Sequence, residues 1–510
     1  MPAYFLGIHL GTRGLRAVIV DELGQVCGTD ERGYETENPA GGQTEQDPEQ
    51  WTRAAGPAVA GAIRRANVSP ADIAAASVSA QRHSLIACTR SGAPVRPAIV
   101  WPDVRAHTQA LSLSSHIDTA QLTALTGLKP DPIHLLPKIL WLRENEPQAF
   151  EQAEIFTTPG PFLLHYMTGE WFMDYSTASD TMLYDISQRT WSARMLDLAG
   201  IAGESLPALC SGADIAGKIT GEFAHQSNLP QGIPVAAGGG YEQCAAMGSG
   251  VIGPGLCSDI IDVIEPVGAC TDSTAPHTAH LLETHDTPHG GSRFLLNPGF
   301  DSISNYQWFR DNFARMEIEH TRNTFRTAFD LMNEQASAAP AGAGGVVFLP
   351  FLSGARAPEW NPQARGVFAG LSHNHTREHI IRAVLESAAY TLRDNVQALE
   401  DAGAPVHEIR VVGGVERNPI TEEIRAHVTG KPVSRTNVPE TGAYGAALFA
   451  AVASGHFATP EQAAQKWVRV TRVIDPDPDT HEIYTRMYQR YRLLYDRLKD
   501  DFHIFSEDAL

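Results

Sequence analysis

The chain has 510 residues, 43% of them hydrophobic, and its 39 Lys and Arg against 59 Asp and Glu give a net charge of −20 with neutral histidines. This length suffices for roughly two to four domains with large buried cores, so the fold needs no disulfide framework. The negative charge excludes a generic binder of nucleic acid or of anionic membranes, because Lys and Arg hold such surfaces. Any phosphate must therefore be bound by a local group of donors.

The cysteines and the hydrophobic runs indicate a protein of a reduced compartment. The six cysteines form no CxxC pair, which favours free thiols over disulfides or a structural zinc site. The amino-terminal segment has no basic region, and no run approaches the roughly twenty apolar residues that span a bilayer. We expect a cytoplasmic protein that binds neither membrane nor nucleic acid.

The first half of the chain alternates strand and helix patterns, as is typical of an α/β fold. Apolar runs in residues 4–20 flank Gly11-Thr12-Arg13-Gly14 and predict a hairpin. The turn of this hairpin either presents backbone N–H groups to an anion or simply begins a sheet. Further elements are predicted in chain order: a helix over Trp51 to Ala66, a strand over Ala75 to Ser79, a strand–turn–strand over Leu85 to Trp101, and a core helix over 133–146.

Near the middle of the chain, a glycine-rich segment from Val235 to Cys244 joins an apolar strand to a helix of small residues. Strands resume at Cys257 and precede a polar stretch, 271–290. This stretch contains four histidines: His277, His280, His285 and His289. Four histidines suit a metal ion, but the Thr, Pro and Gly content and the lack of an i, i+4 pair favour a solvated loop.

The last third carries a long helix and two segments rich in small residues. The apolar spacing predicts a buried helix from after Thr376 to about Leu399. Residues 409–418 are a strand that runs into two glycines, which suits close approach of a flat ligand or a phosphate. Residues 441–455 form a helix of small residues. The alternating aspartates of 475–479 lack calcium-loop spacing and predict a turn before the final helix.

In this order, the segments resemble the FGGY family of carbohydrate kinases, most closely its pentulose and xylulose kinase-like branch. The resemblance covers nearly the whole chain and is carried by GIHLGTRGLRAVIVD, SAQRHSLIACTRSGAPVRPAIVWPDVRA, LPKILWLRENEP, LLHYMTGEWFMDYSTASDTMLYD, FLPFLSGARAPEWNPQARGVFAGLSHNHTREHIIRAVLES, VVGGVERNPITEEI and GAYGAALFAA. It implies an α/β fold of two actin-like, ribonuclease-H-like domains with an interdomain cleft. The sugar-binding and catalytic domain is expected over 1–250 and the nucleotide-binding domain over 251–510.

The resemblance also implies a reaction and a set of site residues. The reaction is phosphoryl transfer from ATP, with Mg²⁺, to a hydroxyl of a pentulose or related polyol in carbohydrate metabolism; a homodimer is compatible with it. Matched by position, the sugar-binding residues are Gln81, Arg82, His83, Trp101 and Asp103. Those on the nucleotide side are Gly11, Thr12, Asp262, Val263, Gly413, Gly414 and Gly442.

The chain departs from the family pattern at three places that serve phosphoryl transfer. His9 stands where the family has the Asp of its opening Asp-x-Gly-Thr, and imidazole is a poor substitute for a hard magnesium ligand. Tyr241, followed by Glu242, stands at the family's catalytic Asp, and tyrosine is a poor base near neutral pH. Asp262 and Val263 replace the Gly-Thr of a phosphate-binding turn, where a carboxylate repels phosphate.

Two interpretations follow. In an active kinase, Glu242 would serve as the base and Asp262 would take over metal binding; in an inactive relative, the fold would retain sugar binding or a regulatory role. A further hypothesis is that His9 and Asp262 pair as imidazolium and carboxylate and fill the phosphate site. No metal site other than that of the kinase reaction is predicted.

Overall fold

Two β-sheets with helices packed on them make up the part of the chain that the structure, a computed structural model, describes: residues 3–39, 42–262, 264–273, 282–355, 359–413 and 419–505. The strands are β1 (Tyr4–Leu10), β2 (Gly14–Asp21), β3 (Val26–Gly33), β4 (Glu45–Gln46), β5 (Ile73–Ala80), β6 (Ile86–Cys88), β7 (Ala98–Ile99), β8 (Ile155–Thr157), β9 (Phe172–Asp174), β10 (Tyr184–Asp185), β11 (Thr190–Trp191), β12 (Ala208–Cys210), β13 (Ile215–Lys218), β14 (Pro234–Gly240), β15 (Gly255–Ile261), β16 (Ile264–Thr271), β17 (Glu283–Asp286), β18 (Arg293–Asp301), β19 (Val347–Leu349), β20 (Val367–Ala369), β21 (Val406–Gly413), β22 (Val433–Thr436) and β23 (Val470–Ile474).

The helices are α1 (Pro48–Ala66), α2 (His107–Ser112), α3 (Thr119–Thr126), α4 (Leu135–Asn145), α5 (Pro147–Gln152), α6 (Pro159–Thr168), α7 (Tyr175–Ala178), α8 (Ala193–Ala199), α9 (Gly221–Ser227), α10 (Tyr241–Gly248), α11 (Ile303–Phe313), α12 (Arg315–Thr321), α13 (Ala328–Ala338), α14 (Arg377–Asp401), α15 (Ile420–Thr429), α16 (Thr441–Ala453), α17 (Pro460–Trp467) and α18 (Pro478–Leu498). The helices predicted over Trp51 to Ala66 and from Thr376 to Leu399 are confirmed as α1 and α14. The turn predicted at 475–479 is confirmed only in part: residues 475–477 connect β23 to α18 and Asp477 caps the helix, whereas Asp479 already lies in its first turn.

The first sheet has the strand order β13-β14-β5-β1-β2-β3. β1 and β2 form the predicted hairpin, antiparallel with Leu10 opposite Leu15, and β1, β5 and β14 run parallel. The apolar residues of these strands alternate between two buried faces. One face packs on α1 and α6 around Trp51 and Phe162, and the other packs on helices from the end of the chain.

The second sheet has the order β17-β18-β16-β15-β21-β22-β23, with β15, β21 and β22 parallel and β15, β16 and β18 antiparallel. Each sheet thus begins with antiparallel neighbours and continues into parallel strands reached through helices. The prediction of two α/β units is confirmed. Their boundary at 250 stays a prediction.

The helix of small residues, α16, packs on the first sheet although it comes from the second half of the chain. It crosses α10 at two glycines. A Cβ on Gly445 would lie 2.0 Å from the carbonyl oxygen of Cys244, and one on Gly248 would lie 2.2 Å from that of Thr441. Only glycine permits backbones this close, so the small residues serve a helix crossing.

The solvated loop predicted over 271–290 is wrong where the structure describes it. Glu283–Asp286 form β17, an edge strand paired with β18, and the His285 side chain is fully buried. The backbone N–H of Thr284 donates to the carbonyl of Gly127 at 2.9 Å, so β17 also contacts the first half of the chain. His277 and His280 lie outside the described residues.

The prediction of free thiols is confirmed. All six cysteines are free, and four of them are buried. Among the described residues, no helix is long and apolar enough to cross a bilayer.

Candidate functional site

The predicted catalytic and sugar-binding residues meet at one edge of the first sheet. His9 is near the end of β1, Gln81 to His83 follow β5, and Tyr241 and Glu242 follow β14 directly. Since β1, β5 and β14 are parallel neighbours, their carboxyl ends open at the same edge. This edge is where ligands bind in α/β sheets.

His9 and Tyr241 form a ring pair at this edge. Their ring centroids are 4.6 Å apart with an interplanar angle of 33°, and His9 Nδ1 lies 3.4 Å from Ser79 Oγ. Burial and the nearby Arg16 lower the pKa of His9 to about 4. His9 is therefore uncharged at neutral pH and lies against Tyr241, so the predicted His9–Asp262 ion pair is wrong.

Gly442 closes the ring pair from the side of α16. A Cβ on Gly442 would lie 2.9 Å from two ring carbons of Tyr241 and 3.4 Å from His9 Nδ1. Burial, followed by the charge of Asp262, raises the pKa of the Tyr241 phenol. The phenolate, the form of Tyr241 that could accept a proton, is thus even scarcer at neutral pH here than in water.

The turn of the β1–β2 hairpin is tied to the predicted sugar residues. Gly11 N–H donates to the carbonyl of Gly14 at 3.0 Å. Trp101 Nε1 donates to Thr12 Oγ1 at 2.9 Å, and Gln46 Nε2 donates to the Thr12 carbonyl at 2.6 Å. Gln81 Nε2 donates in turn to Gln46 Oε1 at 3.2 Å. The structure thus brings Thr12, Trp101 and Gln81 together.

Arg82 is the centre of a buried ion-pair network. Its guanidinium donates to Asp180 Oδ1 at 2.5 Å and also, through Nε, to Glu242. The Glu242 carboxylate, which an active kinase would use as a replacement base, is therefore engaged by a cation. Burial raises the pKa of Asp180, and the charge of Arg82 partly offsets this rise.

His83 lies beside Arg82 in a strained backbone conformation. Its φ is +58°, a value that is uncommon for a residue with a side chain. Its N–H donates to Asp180 Oδ2 at 3.2 Å, and its carbonyl accepts from Lys138 Nζ at 2.6 Å. The His83 ring meets His134 edge-on, with centroids 5.2 Å apart. Burial lowers the pKa of Lys138 to about 7 and that of His134 to about 4.

The second sheet contributes Glu283 and His285 to the same cluster. Glu283 Oε2 lies 3.0 Å from His285 Nε2, and Glu283 Oε1 lies 3.6 Å from His134 Nε2. Burial raises the pKa of Glu283 and lowers that of His285. The sequence reasoning missed His134, Asp180 and Glu283, and it assigned His285 to a loop. The signal for β17 was weak because the strand has only four residues.

Asp103, a predicted sugar ligand, is fully buried and engaged within the protein. Its carboxylate accepts from the backbone N–H of Thr44 at 2.6 Å and from Arg105 Nε at 2.9 Å. These contacts hold the 42–46 segment against the 101–105 turn. A direct role for Asp103 in sugar binding stays a prediction.

The predicted nucleotide residues of the second half are only partly described. Gly413 ends β21 with φ +72°, and its carbonyl accepts from Arg435 Nη1 at 2.8 Å. Asp262 follows β15 directly and is close enough to Tyr241 for its charge to act on the phenol. Val263 and Gly414 lie outside the described residues.

The donors around His9 do not fit a magnesium ion. Mg²⁺ prefers hard oxygen ligands, above all carboxylates. His9 contacts a hydroxyl and an aromatic ring, and the nearby Glu242 is held by Arg82. His9 itself therefore does not replace a carboxylate ligand of Mg²⁺, and the carboxylate whose charge acts most on the neighbouring Tyr241 is that of Asp262.

Both halves of the chain match family models. Residues 4–248 match the amino-terminal domain, and residues 268–454 match the carboxyl-terminal domain, of the FGGY family of carbohydrate kinases. The chain belongs to this family. The two actin-like α/β units are its fold.

Individual FGGY proteins are similar over nearly the full chain. Xylulose kinase from Bacillus subtilis (strain 168) is 28% identical over 98% of this chain and 97% of its own length. Glycerol kinase from Thermococcus gammatolerans is 30% identical over 96% of this chain and 97% of its own length. The crystal structure of xylulose kinase from Rhodospirillum rubrum, 26% identical, matches with a TM-score of 0.88 over 98% of this chain and all of that one.

Proposed function

We propose that this chain is a carbohydrate kinase of reduced catalytic rate, which transfers a phosphoryl group from ATP to a hydroxyl of a pentulose or a related polyol. The FGGY relatives that are similar over its whole length are named as xylulose and glycerol kinases, which supports this class of acceptor. Arg82, His83 and Gln81 offer fixed donors and acceptors at the sheet edge, with the half-buried ring of Trp101 nearby. A polyol site needs both fixed polar groups and an apolar face.

The observation that supports a reduced rate is the position of Tyr241. It stands where the family has its catalytic Asp, its ring lies against His9, and the neighbouring Glu242 is paired with Arg82. A general base contributes about 10²–10⁴-fold to such reactions. The loose transition state of phosphoryl transfer asks little of the base, so the loss slows the reaction without abolishing it.

A second candidate function is a catalytically inactive, sugar-binding or regulatory protein. The misfit of the His9 surroundings to Mg²⁺ favours it, because the metal and the base positions have changed together. In that case the Arg82 and His83 region would still bind a sugar, but Mg-ATP would not bind productively.

The two candidates are separated by measuring sugar-dependent ADP formation with the full-length chain. A panel of pentuloses, hexuloses, glycerol and linear polyols is offered with Mg-ATP, and the phosphorylated product is identified by mass spectrometry. The kinase proposal expects one acceptor class to stimulate ADP formation. A Gly11→Val preparation, in which the hairpin turn is filled beside His9, should lose this rate and thereby exclude a contaminating host kinase.

Absence of product with every acceptor, combined with calorimetric binding of a sugar, would replace the kinase proposal by the second candidate. A cytoplasmic location and a homodimer belong to the same proposal. Sedimentation of the purified chain tests the dimer.

A further inference from the structure

Five ionisable side chains form a buried cluster between the two halves of the chain, next to Arg82. The cluster consists of His83, His134, Asp180, Glu283 and His285. Their exposed fractions are 8%, 0%, 1%, 7% and 0% in that order. Three come from loops and a helix start in the first half, and two come from β17. Burial of so many titratable groups is costly unless they are paired or bind an ion.

The distances between their ligand atoms fit metal coordination. His83, His134 and Asp180 form one trio and Asp180, Glu283 and His285 a second, and in each trio the ligand atoms lie within 4.8 Å of one another. Neighbouring pairs are closer: 3.1 Å for His83 Nδ1 to Asp180 Oδ2 and 3.0 Å for His285 Nε2 to Glu283 Oε2. Bonds of about 2.0–2.1 Å around a tetrahedral ion place its ligands about 3.4 Å apart.

An independent observation is the state of His134. Its ring is fully buried, and within the described residues neither ring nitrogen makes a hydrogen bond of good geometry, although the Asp180 backbone lies near the ring. Nε2 lies 3.6 Å from Glu283 Oε1, too far for a hydrogen bond but suitable for two ligands of one ion. A buried imidazole with such poorly placed partners loses most of the hydrogen bonding that water would supply, which a metal bond would replace.

The carboxylates are already oriented as metal ligands usually are. Arg82 holds Asp180 Oδ1 at 2.5 Å, which leaves Oδ2 turned towards His83. Ser179 Oγ lies 3.5 Å from His285 Nδ1, on the ring edge opposite Glu283. Ligating groups commonly have such outer partners, which fix their orientation. Glu283 differs from Asp180, because its contacts in the cluster are with the imidazoles of His134 and His285 rather than with a guanidinium.

We propose that this cluster binds a divalent first-row transition-metal ion, with Zn²⁺ as the best fit, in one or both trios with Asp180 shared between them. Imidazole and carboxylate ligands suit Zn²⁺ and its neighbours, whereas Mg²⁺ and Ca²⁺ require oxygen ligands only. His83 and Glu283 each keep a small exposed fraction, so the cluster is not completely sealed from solvent. The cluster does not include His9, but it shares His83 with the proposed sugar site, and metal binding is therefore measured in the absence of sugar and nucleotide.

The test is metal binding by the full-length chain after dialysis against a chelator. Calorimetric titration with ZnCl₂ is expected to give one or two equivalents per chain with a Kd below 1 μM, and Co²⁺ is expected to give a visible absorption spectrum of nitrogen and oxygen coordination. Millimolar MgCl₂ should give neither. His134→Gln and, separately, the isosteric Glu283→Gln should each weaken Zn²⁺ binding at least tenfold, while circular dichroism verifies their folding.

The matched control is His379→Gln. His375, two residues before α14, and His379, in the first turn of α14, are half-buried, and their ring centroids are separated by 5.3 Å; such histidine pairs outside the cluster are the main source of adventitious zinc binding. The control should leave the Kd unchanged. Zinc binding that follows His379 instead of His134 and Glu283, or no binding at micromolar Zn²⁺, would overturn the proposal.

Discussion

The imidazole of His9 and the phenol of Tyr241 lie 4.6 Å apart, centroid to centroid, at the ends of β1 and β14 on either side of β5. The resemblance to the FGGY pattern implies carboxylates at both positions. The two substitutions depend on each other, because a single ring placed beside the remaining carboxylate would leave that charge without a partner. Aromatic pairs of this kind stabilise a fold by about 0.5–1.5 kcal/mol beyond the area they bury.

Restoring both carboxylates should therefore increase phosphoryl transfer. The double variant His9→Asp/Tyr241→Asp is expected to raise kcat for the preferred sugar by about 10²–10⁴-fold, since it returns the base and an oxygen ligand for Mg²⁺. Each single variant should show a smaller increase in kcat, because one of the two positions still carries a ring instead of a carboxylate. The measurement is sugar-dependent ADP release at saturating Mg-ATP.

Tyr241→Phe is the matched control for this experiment. It keeps the ring against His9 and removes only the hydroxyl, so its rate should equal that of the wild type. A large loss of activity in Tyr241→Phe would mean that the phenol itself takes part in the reaction and that Tyr241 is not a passive replacement for the base.

The buried imidazole of His9 should make stability depend on pH. Its folded pKa of about 4 lies below the unfolded value near 6.5, so the unfolded chain binds the proton first as the pH falls. The groups around it are Arg16, which is paired with Glu31 and Glu440, the hydroxyl of Ser79 and the ring of Tyr241. Uncharged His9 therefore makes its full contribution to the free energy of unfolding above pH 6.5. Between pH 6.5 and pH 4 the free energy of unfolding falls by at most about 3 kcal/mol because of this residue.

The check is a comparison of wild type with His9→Asn, because other buried histidines titrate as well. The fall in unfolding free energy from pH 7 to pH 4.5 should be smaller in the variant. An equal fall in both proteins would show that His9 is already protonated in the folded state.

Much of the fold was predictable from sequence because the patterns are local. The hairpin at residues 4–20, α1 and α14 each follow from apolar spacing and turn or cap residues within the segment itself. The two α/β units follow from the alternation of strands and helices. The substitutions at His9 and Tyr241 could also be recognised from the sequence, since each falls inside a short motif.

The buried cluster was not predictable, because it depends on contacts between distant segments. His83 and Asp180 are 97 residues apart, and Asp180 becomes a partner of Arg82 only when the chain folds. His285 stands in a stretch whose Thr, Pro and Gly content is that of a loop. It becomes buried because β17 pairs with β18 and contacts Gly127, and neither partner can be identified from the composition of the stretch.

Removal of Arg82 should destabilise the protein strongly. In Arg82→Met, the buried carboxylate of Asp180 and the nearby Glu242 lose their shared cation, and breaking a buried pair in this way costs about 3–5 kcal/mol. Glu242→Gln should cost less, because Glu242 is partly exposed and Asp180 keeps its partner. Urea unfolding of the two variants measures the difference. Equal costs would contradict Asp180 as the main partner of Arg82.

The crossing of α10 and α16 should not tolerate a methyl group. In Gly445→Ala, the added Cβ would lie 2.0 Å from the carbonyl oxygen of Cys244, a backbone atom that cannot turn away, so the two helices must separate. Overpacking of this kind costs about 1–3 kcal/mol, which exceeds the gain in helix propensity of about 1 kcal/mol at most sites. Gly253→Ala is the control, since a Cβ there meets no atom within 4 Å. Thermal unfolding should show a lower midpoint for Gly445→Ala and an unchanged one for Gly253→Ala; unchanged midpoints for both would mean that the helices are not packed through Gly445.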